Sequence, residues 1–438
     1  MLAVLRNRAY RHLFGAQVIA LVGTGLATVA LGLLAFSLAG DNAGAVLGMA
    51  LAIKMVAYVA VAPVASAFAE RVPRRAMLVT LDAARASVAM LLPFVTEIWQ
   101  IYVLIFVLQS ASAAFTPTFQ ATIPDVLPDE KDYTKALSLS RLAYDLESVA
   151  SPLLAALLLT VVTYNFLFVG TIIGFLASAV LVVSVVLPSP KPTKPRGIYD
   201  RTTRGIRIYL KTPRLRGLLA LTFAVSAAGA MVIVNTVVLV QFRFGLDQQA
   251  TALALTAFGA GSMVAAFALP KLLERCTDRT VMLTGAAILV TAMLLGSLII
   301  GYAWLLPLWA LVGLGYGVTQ TPSGRLIRRS SHPEDRPALF AAQFALSHAT
   351  WLVTYPIAGW LGASIGTQGT FLVMAAIAAA GILAATHLWP APDPTEIEHS
   401  HDDLADDHPH LLNHGLSNMS HTHRHDFVID AEHTAWPR

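Results

Sequence analysis

Leu13-Phe-Gly-Ala-Gln17-Val-Ile-Ala-Leu-Val-Gly-Thr24-Gly-Leu-Ala-Thr-Val-Ala-Leu-Gly-Leu-Leu-Ala-Phe-Ser-Leu-Ala39 runs for 27 residues without one charge. A bilayer core of about 30 Å needs about 20 apolar residues in a helix, so this run can cross it. It is also too long for the apolar region of a cleavable signal. Comparable runs follow at roughly 44–69, 76–96, 98–120, 134–160 and 164–187. After a break they resume at roughly 214–241, 247–270, 280–301, 303–321, 338–362 and 368–389. The expected fold is an all-α integral membrane protein with twelve transmembrane helices in two pseudo-symmetric six-helix bundles.

The whole chain supports that class. Hydrophobic residues make up 56% and charged residues 13% of the sequence. Soluble domains carry about twice that charge. The expected organisation is an N-terminal bundle over 1–187, a cytosolic linker over 188–213, a C-terminal bundle over 214–390 and a disordered tail over 391–438. The linker reading rests on Pro188, Pro190, Pro192 and Pro195 among many basic residues. The single cysteine, Cys276, excludes a disulfide framework and a CxxC site. No Walker A, HExxH or Ser–His–Asp context is present, so an enzyme is disfavoured.

Basic residues set the orientation. Arg6, Arg8, Arg11, Arg71, Arg74, Arg75, Lys131 and Lys135 fall on one side, with the nine from Lys191 to Arg216. So do Lys271, Arg275, Arg279, Arg325, Arg328, Arg329 and Arg336, whereas only Arg243 falls in a loop on the other. The positive-inside rule then places both termini in the cytoplasm. The expected location is a bacterial inner membrane.

The halves share an internal repeat. Thr116-Pro117 matches Thr321-Pro322, Pro128-Asp129-Glu130 matches Pro333-Glu334-Asp335, and Ala136 matches Ala341, all at an offset of 205. Pro152 matches Pro356 at 204. Two related halves are what alternating-access transporters of this size use, with substrate sites near the midplane.

Ionisable groups inside spans are costly and need a reason. Lys54, Arg141, Asp145, Glu147 and His348 fall in apolar runs. At 1.5 Å per residue, Asp145, Glu147 and His348 lie roughly 15–20 Å from their helix ends, near the midplane. Asp145 and Glu147 are two apart and must point to different faces. Asp145 has two readings, an ion pair with Arg141 four residues earlier or a transport role. Glu147 is read as a metal ligand or proton carrier, and His348 as a ligand or proton relay. Lys54 is read as a counter-ion, because a cation repels a divalent substrate. Gln17, Tyr144, Asn235, Gln343 and Ser347 are candidate cavity-lining residues. For Gln17, Thr24 and Asn235, ordinary interhelical hydrogen bonds are the competing account.

The end of the chain differs from everything before it. Nine of 13 histidines sit in the last 40 residues: His399, His401, His408, His410, His414, His421, His423, His425 and His433. Asp402, Asp403, Asp406, Asp407 and Asp426 lie among them. Imidazole with carboxylate suits borderline divalent metals such as nickel, cobalt, zinc and copper. His-x-His places two imidazoles on one side of an extended strand. A solvated tail with incidental histidines is the alternative.

Ser66-Ala-Phe-Ala-Glu70-Arg71-Val-Pro73-Arg74-Arg75 resembles the loop motif of the major facilitator superfamily, with Ser66 and Pro73 in place of glycines. The resemblance implies a conformational latch at Glu70, Arg71, Arg74 and Arg75, joined by Asp82 and Arg85. Glu274-Arg275-Cys276-Thr-Asp278-Arg279 is a more degraded copy. Within that superfamily the chain resembles exporters of the nickel-resistance (NreB) type. The stretches that carry this are Ala136-Leu-Ser138-Leu-Ser140-Arg141-Leu-Ala-Tyr144-Asp145-Leu-Glu147, Ala341-Ala-Gln343-Phe-Ala-Leu-Ser347-His348 with Trp351 and Tyr355, Ala52-Ile-Lys54-Met-Val, and the tail. The implied function is proton-coupled export of a divalent metal, nickel with cobalt as a second cargo. The partners would be the metal as substrate, protons and the bilayer, with no cofactor and no nucleic acid, and the chain would act as a monomer. A drug or siderophore exporter of the same fold, or a non-transporting metal sensor, are the alternatives.

Overall fold

The computed structural model describes residues 1–39, 43–69, 72–189, 197–394, 396–400, 422–430 and 432–437. The first six long helices are α1 (Arg8–Ala39), α2 (Ala43–Ala69), α3 (Arg74–Leu91), α4 (Ile98–Val126), α5 (Glu130–Leu158) and α6 (Asn165–Val183). A shorter α7 (Ile198–Lys211) leads into α8 (Pro213–Val237), α9 (Gln248–Leu273), α10 (Asp278–Gly296), α11 (Tyr302–Gln320), the short α12 (Ser323–Arg329), α13 (Arg336–Ser364) and α14 (Gly366–Leu388). Two strands, β1 (Glu396–Ser400) and β2 (Thr422–Asp426), follow.

Local chemistry sets the helix starts. Asp129 accepts from the Asp132 N–H at 2.9 Å ahead of α5, and Asp247 accepts from the Ala250 N–H at 2.9 Å ahead of α9. Both satisfy backbone donors that a helix start leaves free. Glu97 and Gln100 form a capping box at α4. Ten helices among the described residues are long and apolar enough to cross a membrane. α5 and α13, at 29 residues each, match them in length. They carry Arg141, Asp145 and Glu147, and Gln343, Ser347 and His348, in the stretches that would cross.

The two six-helix sets pack alike. α1 lies on α6, α2 on α4 and α3 on both α4 and α6. The counterparts repeat this: α8 lies on α14, α9 on α11 and α10 on both α11 and α14. The halves meet along two equivalent seams, α2 against α13 and α5 against α9. Glycine permits the tightest approach: a Cβ at Gly261 of α9 would overlap the Ala310 carbonyl, and one at Gly313 of α11 would overlap that of Phe258.

Two segments differ from the sequence expectation. The linker contains a helix, α7, whose Ile208 and Tyr209 are buried against the second half. Prolines and charges dominate the linker's composition and hide this short apolar face. In the tail, β1 and β2 pair antiparallel, with His399 opposite His423. Phe427, Val428 and Ile429 are buried, and Trp436 packs against the same core. These apolar residues give the tail something to bury, which a count of its acids and histidines misses.

Candidate functional site

α5 and α13 come from opposite halves and face one cavity of about 490 Å³. Gln17 and Thr24 line it from α1, Lys54 and Tyr58 from α2, and Arg85 from α3. Ser140, Arg141, Tyr144 and Glu147 line it from α5, and Gln343, Phe344, Ser347 and His348 from α13. The volume falls within the ~300–1,000 Å³ usual for small-ligand sites. Aromatic rings supply much of the wall, including Phe115, Phe119, Tyr316 and Phe340.

His348 is held by its neighbours. Its Nδ1 lies 2.7 Å from the Phe344 carbonyl oxygen. A carbonyl only accepts, so Nδ1 carries a hydrogen and the neutral ring keeps its lone pair on Nε2. The ring meets Tyr58 edge-on at 4.7 Å and tilts over Phe344 at 4.2 Å. Tyr58 Oη in turn donates to Gln109 Oε1 at 2.8 Å. Metal-binding histidines commonly donate one ring N–H to a carbonyl and present the other nitrogen. Tyr58 belongs to no motif in the sequence, and its place four residues from Lys54, on one helix face, is the signal that points to it.

Glu147 lies where α5 crosses α1. A Cβ at Gly25 would stand 2.5 Å from Glu147 Oε1 and closer still to Ser151 Oγ. The carboxylate therefore uses space that only glycine leaves open. Lys54 is within coulombic reach of both Glu147 and His348. Its ammonium sits 5.5 Å from the Tyr58 ring centroid. Among the described residues it makes no ion pair shorter than 4.0 Å. Gln17 Oε1 accepts from Ser140 Oγ at 3.0 Å, which ties α1 to α5 beside the cavity. Ser347 Oγ donates to the Phe344 carbonyl at 3.0 Å, and Tyr209 of α7 donates to Gln343.

Two candidates lie elsewhere. Asp145 is buried outside the cavity lining, on the face of α5 toward α9. Arg141 pairs with it, Nε lying 3.2 Å from Asp145 Oδ2 and 2.7 Å from Ser262 Oγ of the other half. The Arg141 guanidinium also lies 4.6 Å from the Tyr316 ring centroid. This pair joins the halves. The helical offset of two residues sends Asp145 to the seam and Glu147 to the cavity. Asn235 donates to the Ala358 carbonyl at 3.2 Å and so links α8 to α13 away from the cavity.

The face that carries the linker is crossed by ion pairs. Asp125, at the end of α4, takes Arg74 from its own half and Arg336 from the other. Arg325 pairs with Asp278 at 2.8 Å in its own half and with Glu130 and Thr134 across the seam. Arg329 reaches Asp278 at 3.1 Å, and Arg204 of α7 grips Asp335 at 2.7 and 2.9 Å. The repeat thus preserves the joint with its charges exchanged: Arg74 at the start of α3 faces an acid, while Asp278 at the start of α10 faces arginines. Asp82 pairs with Arg85 and accepts from Ser178 Oγ at 2.7 Å, joining α3 to α6. Arg85 lies between the Phe115 and Phe175 rings at 4.0 and 4.5 Å. Arg75 is half-buried. Glu70 and Arg71 lie outside the described residues, and Asp125 carries no motif that would have marked it in the sequence.

In the tail, His399, His423, His425 and His433 offer nitrogens that all lie within 4.8 Å of one another. His401, His408, His410, His414 and His421 lie outside the described residues. Asp430 Oδ1 accepts from His433 Nδ1 at 2.8 Å, and its Oδ2 lies 3.3 Å from His332 Nε2. That hydrogen bond holds the His332 imidazole above its usual range. Burial works against the Asp430 charge, but hydrogen bonds from His332 and His433 hold its carboxyl well below the usual range.

Two packed six-helix halves around a shared cavity match the architecture of a membrane transporter. The chain belongs to the Major Facilitator Superfamily, which matches residues 13–254 and 218–406. It is a multi-pass membrane protein and not an enzyme. The chain resembles macrolide efflux protein A of Streptococcus pyogenes, at 26% identity over 148 residues that make up 33% of this chain and 36% of that protein. The Enterococcus faecalis protein of that name is likewise 26% identical, over 33% of this chain and 45% of its own length. The chain thus spans less than half the length of these relatives. Among solved structures, the human organic anion transporter TETRAN superposes with a TM-score of 0.76 at 13% identity, covering 86% of this chain and 99% of that one. A bacterial homologue of the iron transporter ferroportin, in its outward-facing state, gives 0.71 at 12% identity over 87% and 98%. The fucose:proton symporter of E. coli gives 0.70 at 12% identity over 86% and 98%.

Proposed function

We propose that the chain is a secondary-active exporter that exchanges a divalent metal cation, nickel with cobalt as a second cargo, for protons by alternating access. The observation that carries this reading is that Glu147 and His348, from opposite halves, line one cavity with Lys54 in reach of both. A carboxylate and an imidazole Nε2 are ligands a borderline divalent ion accepts. Contributed by opposite halves, they can be brought together and parted as the halves rock. Lys54 balances Glu147 while the site is empty, and an arriving ion must displace it. A proton taken up by Glu147 weakens its hold and releases the ion. Coupling is required, because each charge moved against 100 mV costs about 2.3 kcal/mol. In this reading the basic linker face is cytoplasmic, in a bacterial inner membrane, and the likeness to nickel-resistance exporters supports the choice of cargo. Asp145 acts through Arg141 as a seam residue.

Nickel uptake by everted vesicles under an imposed pH gradient tests this. Accumulation should occur with the native chain and fall to background in Glu147→Gln and in His348→Ala. Absence of nickel accumulation, or accumulation unchanged in the double variant, overturns the mechanism.

A second reading has its own support. The cavity wall is rich in aromatic rings, and the relatives named above are macrolide efflux proteins. An exporter of a bulky organic compound of the same fold would use that wall. Growth of cells carrying the gene on graded nickel and on graded macrolide separates the two.

A further inference from the structure

We propose that His399, His423, His425 and His433 form one built site for a single borderline divalent cation, and that the bound ion fastens the tail to the loop that carries the linker-face latch. This goes beyond the transport reading and does not depend on what the central cavity moves.

His399 Nδ1 lies 3.1 Å from the Ile397 carbonyl oxygen and His425 Nδ1 lies 2.7 Å from the Asp426 carbonyl oxygen. His433 Nδ1 lies 2.8 Å from the Asp430 carboxylate. These acceptors cannot donate, so all three rings carry hydrogen on Nδ1 and present Nε2. A ring N–H given to a carbonyl or carboxylate, with the other nitrogen presented, is the outer-shell pattern of metal-binding histidine. His399 Nε2 and His433 Nε2 stand 3.0 Å apart. Two lone pairs at that distance repel unless a cation lies between them. A shared proton would serve two nitrogens, but four converge here. Four nitrogens at 2.0–2.1 Å from one tetrahedral ion stand ~3.3 Å apart, a spacing that small side-chain shifts reach from the present one.

His423 and His425 are two apart and share a face of β2, and His399 lies opposite His423 in the pairing register. His423 and His433 are 7% and 5% exposed. The Phe427 ring closes one side, 5.0 Å from the His399 ring and 4.8 Å from that of His433, with Trp436 behind it. Asp430 is fixed by the backbone N–H groups of Glu432 and His433 at 3.0 and 2.7 Å.

Asp430 touches His433 with one oxygen and His332 with the other. The His332 carbonyl accepts the N–H groups of Asp335 and Arg336 at 3.0 and 3.2 Å. Asp335 pairs with Arg204, and Arg336 crosses the seam to Asp125. A continuous path of hydrogen bonds thus runs from the cluster to the joint between the halves. An ion that steadies His433 steadies Asp430 and, through it, the loop at 332–336.

The test uses the purified full chain in detergent, with cobalt alone and nickel alone as probes. Cobalt absorption and calorimetry should show one tight site. That site should vanish in His399→Ala/His433→Ala and weaken about 10–100-fold in Asp430→Asn. It should survive replacement of His401, His408, His410, His414 and His421 by Ala, and also Glu147→Gln/His348→Ala. A tight site retained by the His399→Ala/His433→Ala chain, or lost on replacing the other five, overturns the assignment. Loss in Glu147→Gln/His348→Ala alone would place the ion in the cavity and overturn it too. For the connection, hydrogen exchange of the 335 and 336 amides should slow on cobalt loading. In His332→Ala the ion should still bind, without that protection. Unchanged exchange in the native chain, with cobalt bound, overturns the coupling.

Discussion

The central cavity and the tail cluster use the same imidazole and carboxylate chemistry in opposite ways. In the cavity, one histidine and one carboxylate come from opposite halves, with a lysine in reach of both and a wall that mixes polar side chains with aromatic rings. In the tail, four imidazoles converge, and three are fixed by Nδ1 hydrogen bonds, one of these to a carboxylate. The difference teaches what each place can do. A site that must load and unload cannot be complete in one conformation. A site completed within one strand pair and the turn after it can hold an ion whichever way the halves rock.

Glu147→Gln should reduce vesicle nickel flux to background while leaving the tail's tight cobalt site intact. His399→Ala/His433→Ala should abolish the tail's tight cobalt site and keep the vesicle flux. Flux lost together with the tail site would mean that the two places are one functional unit.

The latch tests whether the cavity belongs to the moving part. Asp125 is 6% exposed and holds Arg74 and Arg336. Removing one partner of a buried pair costs about 3–5 kcal/mol. Asp125→Asn should therefore lower the melting temperature and raise cysteine labelling on the linker face. A melting temperature and labelling equal to the native chain would remove the latch from the account.

Smaller changes sharpen the cavity side. Gly25→Ala forces a Cβ against Glu147 and Ser151. Overpacking of this kind costs about 1–3 kcal/mol. It should lower both melting temperature and nickel flux. If flux is native at reduced stability, Glu147 does not need its present position. Asn235→Ala, away from the cavity, should cost about 0.6 kcal/mol and leave flux unchanged. Lost flux there would extend the pathway to α8.

Much of this could be read along the chain, because the relevant physics is local. Apolar runs long enough to span, the segregation of Arg and Lys, and Pro–acidic helix starts all act within one helix or loop. The same holds for the two-residue offset between Asp145 and Glu147. What could not be read involves partners far apart in sequence. Asp125 looks like any helix-end acid until Arg336 arrives from the other half. Asp145 could serve seam or cavity until Ser262 settles its surroundings. Among the nine tail histidines, nothing in the spacing sets His433 beside His399, since the turn at Asp430 makes that contact.

The order of residues alone places the chain across a bilayer in two related halves, since lipid forces each segment to satisfy its own backbone as a helix. It also determines which helices carry polar groups at mid-depth. Which groups meet depends on how the helices pack. Side chains separated by more than a hundred residues become neighbours through packing of the halves, and burial then decides which charges must pair. That is why Glu147 and His348 face a cavity, Asp145 a seam, and four tail histidines one another.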